Sequence, residues 1–262
     1  MSTPPRRVEL SYEVPFSLPG WVVEDDAKVP EPTTQDYCLT ELMSRMRCRF
    51  ARTGRDAQLH RNRAVRWNQS QPAVGVDPDL CVLEPSPQTD DRTPRSICTW
   101  KPGFAPPVLA VEVVSDTTAE KDYLEGPQKY AASGTRELWV FDPQRLGPTK
   151  QGGPWVLQVW ERARNGRFRR TFAGDGPAWS EVMQCWLLPA ADDIHLLLCD
   201  DEEGEHPWPT EAEYGARQKR RAQRHKQRAE QEKQRAEQER AEKESALARI
   251  AELEAALARA KR

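Results

Sequence analysis

The feature that most limits the possible folds is a strand, helix and strand pattern in the middle of the chain. Val108-Leu-Ala-Val-Glu-Val-Val114 is the strongest apolar run of the sequence. Eight residues further on, Asp122 begins a short helical pattern through Tyr130 and Ala131, closed by Gly134 in the position of a helix C-terminal residue. Glu137-Leu-Trp-Val-Phe141 then supplies a second apolar strand, ending at the turn Asp142-Pro143. Strands apolar along their whole length are covered on both faces, and two of them joined by a helix make a βαβ unit. The pattern predicts an α/β fold with a right-handed crossover.

The segments around this unit are weaker but readable. From Thr33 or Thr34 the apolar residues Cys38, Leu39, Leu42, Met43, Met46 and Phe50 recur at helical spacing, which predicts an amphipathic helix ending near Gly54. Short strands are expected at 63–67 and 79–83, with a turn-rich stretch at 72–78. Later, 155–162 and 167–172 alternate around Asn165-Gly166, a hairpin signal, and 186–188 and 194–198 are further apolar runs. The opening residues 1–34 are rich in proline and acids and read as an extended arm, and 201–209 reads as an acidic linker.

From about residue 210 the chain becomes one long charged helix carrying seven-residue units such as Gln227-Arg-Ala-Glu-Gln-Glu-Lys233. Its last part has an apolar seam of Ala246, Ile250, Leu253, Leu257 and Ala260, alternating by three and four, which predicts a short coiled coil and a homo-oligomer assembled through 210–262. This tail also explains a composition of only 37 % hydrophobic against 31 % charged residues. The net charge of -2 hides an imbalance: residues 217–262 hold 15 Lys/Arg and 8 Glu, leaving 24 basic against 33 acidic residues elsewhere. Phosphate binding by so acidic a body requires clustered cations. The best local cluster is Arg45, Arg47, Arg49, Arg52, Arg55, Arg61, Arg63 and Arg66, which serves either a phosphate backbone or the solubility of a helix.

Six cysteines without paired spacing or neighbouring histidines indicate neither zinc nor a disulfide framework and suit reduced intracellular thiols. Residues 1–20 contain no apolar stretch of the signal-peptide kind, and no run approaches a membrane span, so a cytoplasmic protein without membrane attachment is expected. The histidines show no ligand spacing, and no phosphate-cradling glycine loop is present.

Chemistry is suggested by two carboxylates. Asp79 follows Pro78 at the entrance to one apolar strand, and Glu112 lies inside another, where a charge must be paired, neutralised or bound to metal. Two carboxylates from neighbouring strands, with the carbonyl of Val113, would offer hard oxygen ligands to Mg²⁺. The alternative is a Glu112 that faces solvent or pairs with a cation such as Arg136.

Taken in order, Pro78-Asp79-Leu80, Leu109-Ala-Val-Glu-Val-Val-Ser115, Asp122, Tyr130, Gly134 and Glu137-Leu-Trp-Val-Phe-Asp-Pro143 resemble the Uma-two family of endonuclease-like proteins. That family is a branch of the PD-(D/E)XK restriction-endonuclease-like superfamily, and the resemblance covers residues 35–200. It implies a restriction-endonuclease-like α/β core, with a central mixed sheet flanked by helices, in which Asp79 and Glu112 match the metal-binding carboxylates. The superfamily's lysine, two residues after the glutamate, is replaced by Val114, and the branch's helical lysine, four residues before Tyr130, by Gly126. Lys121 and Lys129 are the nearby substitutes, and Asp122 is expected to cap the helix start.

These expectations amount to an endonuclease dependent on Mg²⁺ (or Mn²⁺) that hydrolyses DNA phosphodiester bonds, with Asp79, Glu112 and Val113 holding the metal. Lys129 or Lys121 then supports the transition state. The alternative is a catalytically degenerate nuclease-fold module that binds nucleic acid or protein and assembles through its helical tail.

Overall fold

The computed structural model describes residues 11–12, 21–22, 33–89, 94–192 and 194–260, and they divide into two compact units, Met1–Glu211 and Ala212–Arg262. The first begins with β1 (Ser11–Tyr12) and α1 (Thr33–Thr53), which ends where Gly54 takes a φ of 69°. Glycine enters this left-handed region without a Cβ penalty, which is why the helix stops there. Then come β2 (Gln58–Arg61), β3 (Ala64–Arg66), β4 (Gly75–Val76), β5 (Leu80–Leu83) and β6 (Ser96–Cys98). The central unit is β7 (Leu109–Val113), α2 (Ala119–Leu124), α3 (Gly126–Ser133) and β8 (Glu137–Phe141), followed by β9 (Leu157–Arg162) and β10 (Phe168–Gly174). The strands β11 (Ala178–Ser180), β12 (Cys185–Pro189) and β13 (Leu196–Cys199) close the unit.

Seven strands form the main sheet in the order β1-β10-β9-β8-β7-β5-β2. Only β7 and β8 are parallel, joined by α2 and α3, and the other pairings are antiparallel. The mixed α/β sheet expected from the sequence is therefore present, with the βαβ unit at its centre. All five residues of β7 and of β8 are buried, as their uninterrupted apolar runs require.

Side-chain alternation sends those residues into two separate cores. Leu109, Val111, Val113, Trp139 and Phe141 join Leu39, Leu42, Met46 and Phe50 of α1. Ala110, Leu138 and Val140 join Tyr123, Tyr130 and Ala131 of α2 and α3. Helices thus cover both faces, and the central strands have no wet side. Trp139 is fully buried between them, and its loss to alanine costs about 3–5 kcal/mol.

The segments read as a linker and an arm both make specific contacts with the first unit. The segment 201–209 is not a detached linker: Trp208 is buried in the α1 core, its indole N–H donates to Asp200, and Arg49 lies over its ring. The arm 1–34 falls mostly outside the described residues, but Ser11 and Tyr12 pair with β10, and Trp21 packs edge-on against Trp67.

The second unit is the greater part of α4 (Glu211–Ala260), an unbroken helix of 50 residues. Leu247, Ile250 and Leu253 are each more than half exposed on it. No helix among the described residues is long and apolar enough to cross a membrane.

Candidate active site

The site forms where β5 and β7 part company. Their antiparallel register runs from Val82 opposite Leu109 to Leu80 opposite Val111, and there it stops. One position further, Asp79 and Glu112 would face each other, and the carboxylate of each reaches a backbone N–H of the other strand. Glu112 Oε2 lies 3.4 Å from the backbone N of Asp79, and the Asp79 carboxylate accepts from the N–H of Val113 at 2.7 Å. The two carboxylates therefore converge on one another's backbones.

Beyond the last rung, Val113 has lost its strand partner on that side. Its N–H is met by Asp79 Oδ2, and its carbonyl oxygen accepts from Gln35 Nε2 at 3.1 Å. Gln35 Nε2 also donates to Asp79 Oδ2 at 2.9 Å. An aspartate and a glutamine together replace the missing strand residue, which is how the backbone stays hydrogen-bonded while the gap stays open.

Glu112 is buried, at 4 % exposure, on the sheet face covered by α3. Its Oε1 accepts from the Tyr130 hydroxyl at 2.5 Å. Burial pushes its pKa well above the ordinary carboxylate value, and the charges of Asp79 and Asp122 push it further, while Lys121 and the Tyr130 hydrogen bond oppose the rise. The same burial, with Glu112 alongside, raises the Tyr130 phenol. Arg136 is not the partner of Glu112 in these hydrogen bonds.

The two lysines occupy different settings. Desolvation lowers the pKa of Lys121, but Glu112, Asp122, Asp77 and Asp79 outweigh it, and the net shift is upward, so Lys121 is the cation electrostatically tied to the acidic pair. Lys129, on α3, is buried and pairs with Glu125 at 3.0 Å along its own helix.

Asp122 is a correction: α2 starts at Ala119, so Asp122 sits inside the helix and does not cap it. Burial raises it to about 6, with Asp142 adding to the rise and the Thr118 hydroxyl and Lys121 opposing it.

The arginine-rich stretch is also largely reassigned. Arg45 donates to the Trp208 carbonyl and pairs with Glu41, Arg49 pairs with Asp200, and Arg55 grips Glu84 with two nitrogens. Arg61 pairs with Asp36, and Arg66 bonds Ser96 and the Pro72 carbonyl. These five hold elements together, and sequence spacing could not show the distant acids that claim them. His60 and Trp67 are buried as well.

Gln35 went unnoticed in the sequence although a signal existed. The spacing Cys38, Leu39, Leu42, extended back by one turn, places residue 35 on the buried face of α1, where a polar side chain needs a partner.

Comparison with known proteins decides the family. The family described as "Putative restriction endonuclease", Uma2, matches residues 17–147, half of the chain. The chain belongs to the Uma2 family. Among solved structures, it is similar to a putative nuclease belonging to DUF820 from Anabaena variabilis, at 12 % identity and a TM-score of 0.40, over 64 % of this chain and 76 % of that one. No curated protein matches it. For this Uma2 chain, the register places Asp79 and Glu112 at the end of a strand pair, next to a buried tyrosine and a lysine.

The donor chemistry suits a hard divalent cation: two carboxylates and a backbone carbonyl are all oxygen, and Mg²⁺ is commonly held by one or two carboxylates with water completing its shell. Among the described residues no cluster of three or more His, Cys, Asp or Glu side chains is arranged for a metal, so the side-chain ligands offered here are the two carboxylates alone.

Proposed function

We propose that this chain is an endonuclease dependent on Mg²⁺ or Mn²⁺ that hydrolyses phosphodiester bonds of DNA. The observation that supports it is the convergence of Asp79 and Glu112 at the parted end of β5 and β7, with the Val113 carbonyl joined to Asp79 through Gln35.

Asp79, Glu112 and the Val113 carbonyl are the residues that would hold the ion. When bound, a hard divalent cation polarises a phosphodiester and acidifies a water at neutral pH. The protein supplies the rest. Tyr130 fixes the rotamer of Glu112 and favours its charged form, since a hydrogen bond to a carboxylate stabilises the anion. Lys121 stands in for the lysine absent at Val114 and Gly126, offering a positive charge to the developing negative charge on the phosphoryl oxygens. Lys129 is the reserve candidate, on condition that it leaves Glu125. We also assign the tail to assembly of a homo-oligomer, on the strength of the exposed Leu247, Ile250 and Leu253.

The test is cleavage of plasmid and single-stranded DNA by the full chain with Mg²⁺ or Mn²⁺, beside an RNA control. Cleavage that chelation and Glu112→Ala both abolish supports the proposal. Cleavage persisting in Glu112→Ala belongs to a contaminant and removes it. Metal uptake and DNA binding without any cleavage favour instead the degenerate module that Val114 and Gly126 suggest.

A further inference from the structure

Gln35 joins two oxygens that the proposed function assigns to the metal. Its side chain is buried in the first turns of α1, and one nitrogen, Nε2, reaches both Asp79 Oδ2 and the Val113 carbonyl. Both partners are acceptors only, so chemistry alone decides the orientation of the amide: the NH₂ end must face them, and its two hydrogens are divided between them. Asp79 Oδ2 already accepts the Val113 N–H, and with Gln35 its two lone pairs are used.

A divalent cation bound at Asp79 Oδ2 competes with that arrangement, because the Val113 N–H and the Gln35 amide already use both lone pairs of this oxygen. It would need to stand about 2.0–2.1 Å from its ligands, while the amide hydrogens present partial positive charge to the same oxygens. The terminal torsion of a glutamine is broad and roughly two-fold, so turning the amide over exchanges Nε2 for Oε1 with little movement of the rest of the side chain. This replaces a repelling donor with an attracting acceptor. Helix α1 need not shift, and the Val113 N–H keeps its bond to Asp79.

We infer that Gln35 is a two-position element of the site: its amide nitrogen holds Asp79 and Val113 together in the metal-free protein, and on metal uptake it turns its oxygen toward the cation. The inference rests on the metal reading of the site. Nitrogen-out, the glutamine keeps the parted strands bridged; oxygen-in, it contributes to binding.

The experiment uses the full chain and Mn²⁺ or Mg²⁺ alone, without nucleic acid. Titration calorimetry measures Mn²⁺ uptake by the wild type, Gln35→Glu, Gln35→Leu and Glu112→Ala. We expect uptake that Glu112→Ala loses, roughly 10- to 100-fold tighter binding in Gln35→Glu, and binding weaker by about tenfold in Gln35→Leu. In parallel, the side-chain amide signals of Gln35, identified by their absence in Gln35→Glu, are followed by NMR. They should exchange slowly with solvent in the metal-free protein and faster once Mg²⁺ is added, a change that a purely structural glutamine does not give.

Mg²⁺ that binds while the Gln35 amide protons stay equally protected overturns the inference and leaves the metal site standing. A wild type and a Gln35→Glu variant that both take up no Mn²⁺ overturn the metal reading and this inference with it. Should Gln35→Glu fail to fold, the amide exchange of the wild type, with Gln35→Leu providing the assignment, decides alone.

Discussion

The hydroxyl of Tyr130 donates to Oε1 of Glu112 at 2.5 Å, with both groups buried between α3 and the central strand β7. This bond connects the core beneath α3 to the candidate site, because the tyrosine belongs to the α3 packing and the glutamate to the strand carrying Val113. It also lowers the cost of a buried carboxylate without a full countercharge.

Tyr130→Phe keeps the ring and removes that donor. Stability should fall by about 1 kcal/mol, and Glu112 should hold its proton more tightly, because a bond favouring the anion is gone. Mn²⁺ uptake should weaken by about tenfold with DNA cleavage reduced in step. Calorimetry giving wild-type Mn²⁺ affinity in this variant contradicts the role assigned to the tyrosine.

Asp122 carries the clearest pH signature. Its pKa is about 6 in the folded chain against an ordinary 3.8, chiefly because it is buried. A raised acid contributes stability that is complete below about pH 4 and is lost as the pH climbs through 6. Asp122→Asn removes this loss, so in metal-free buffer its stability relative to wild type should improve by roughly 3 kcal/mol between pH 4 and pH 7. Denaturant unfolding at several pH values measures the difference, and a constant offset across the window rules the assignment out.

Glu137 is a structural carboxylate at the opposite end of its strand from Phe141. It accepts from the Trp139 indole at 2.6 Å, from the Ser180 hydroxyl and from the Val182 N–H at 3.0 Å, tying β8 to the β11–β12 turn. Glutamine cannot accept all three, since its NH₂ would confront a donor. Glu137→Gln should destabilise the chain by about 1–3 kcal/mol, with Mn²⁺ affinity unchanged in the fraction that remains folded. A thermal midpoint equal to that of wild type refutes this reading.

The tail prediction concerns assembly alone. Replacing Ile250 and Leu253 together with glutamate places charges in the apolar seam and should convert an oligomer to monomer by light scattering. DNA cleavage by the first unit should persist. A molar mass that does not change on substitution means the seam is not an interface.

Periodicity made the local elements readable. The helix through Leu39 and Phe50, the pair of apolar strands around Tyr130, the turn at Gly166 with its φ of 81° and the long charged helix all come from contacts within a few residues or from one face repeating. The short strands β2, β4, β6 and β11 were not legible, being two to four residues long with no period to detect. Their pairing partners lie elsewhere in the chain.

The candidate site divides along the same line. By itself the sequence determined that a glutamate sits inside a buried strand and that an aspartate opens another, because burial of a charge is implied by its immediate apolar neighbours. Only the tertiary structure decided which groups meet them: Tyr130 rather than an arginine for Glu112, Gln35 for Asp79 and Val113, and acids or carbonyls for five arginines that looked available to phosphate. Partner choice depends on register and on helix placement over the sheet, which are set by contacts far apart in the chain, and a hydrogen bond exists only once both ends have been brought within about 3 Å.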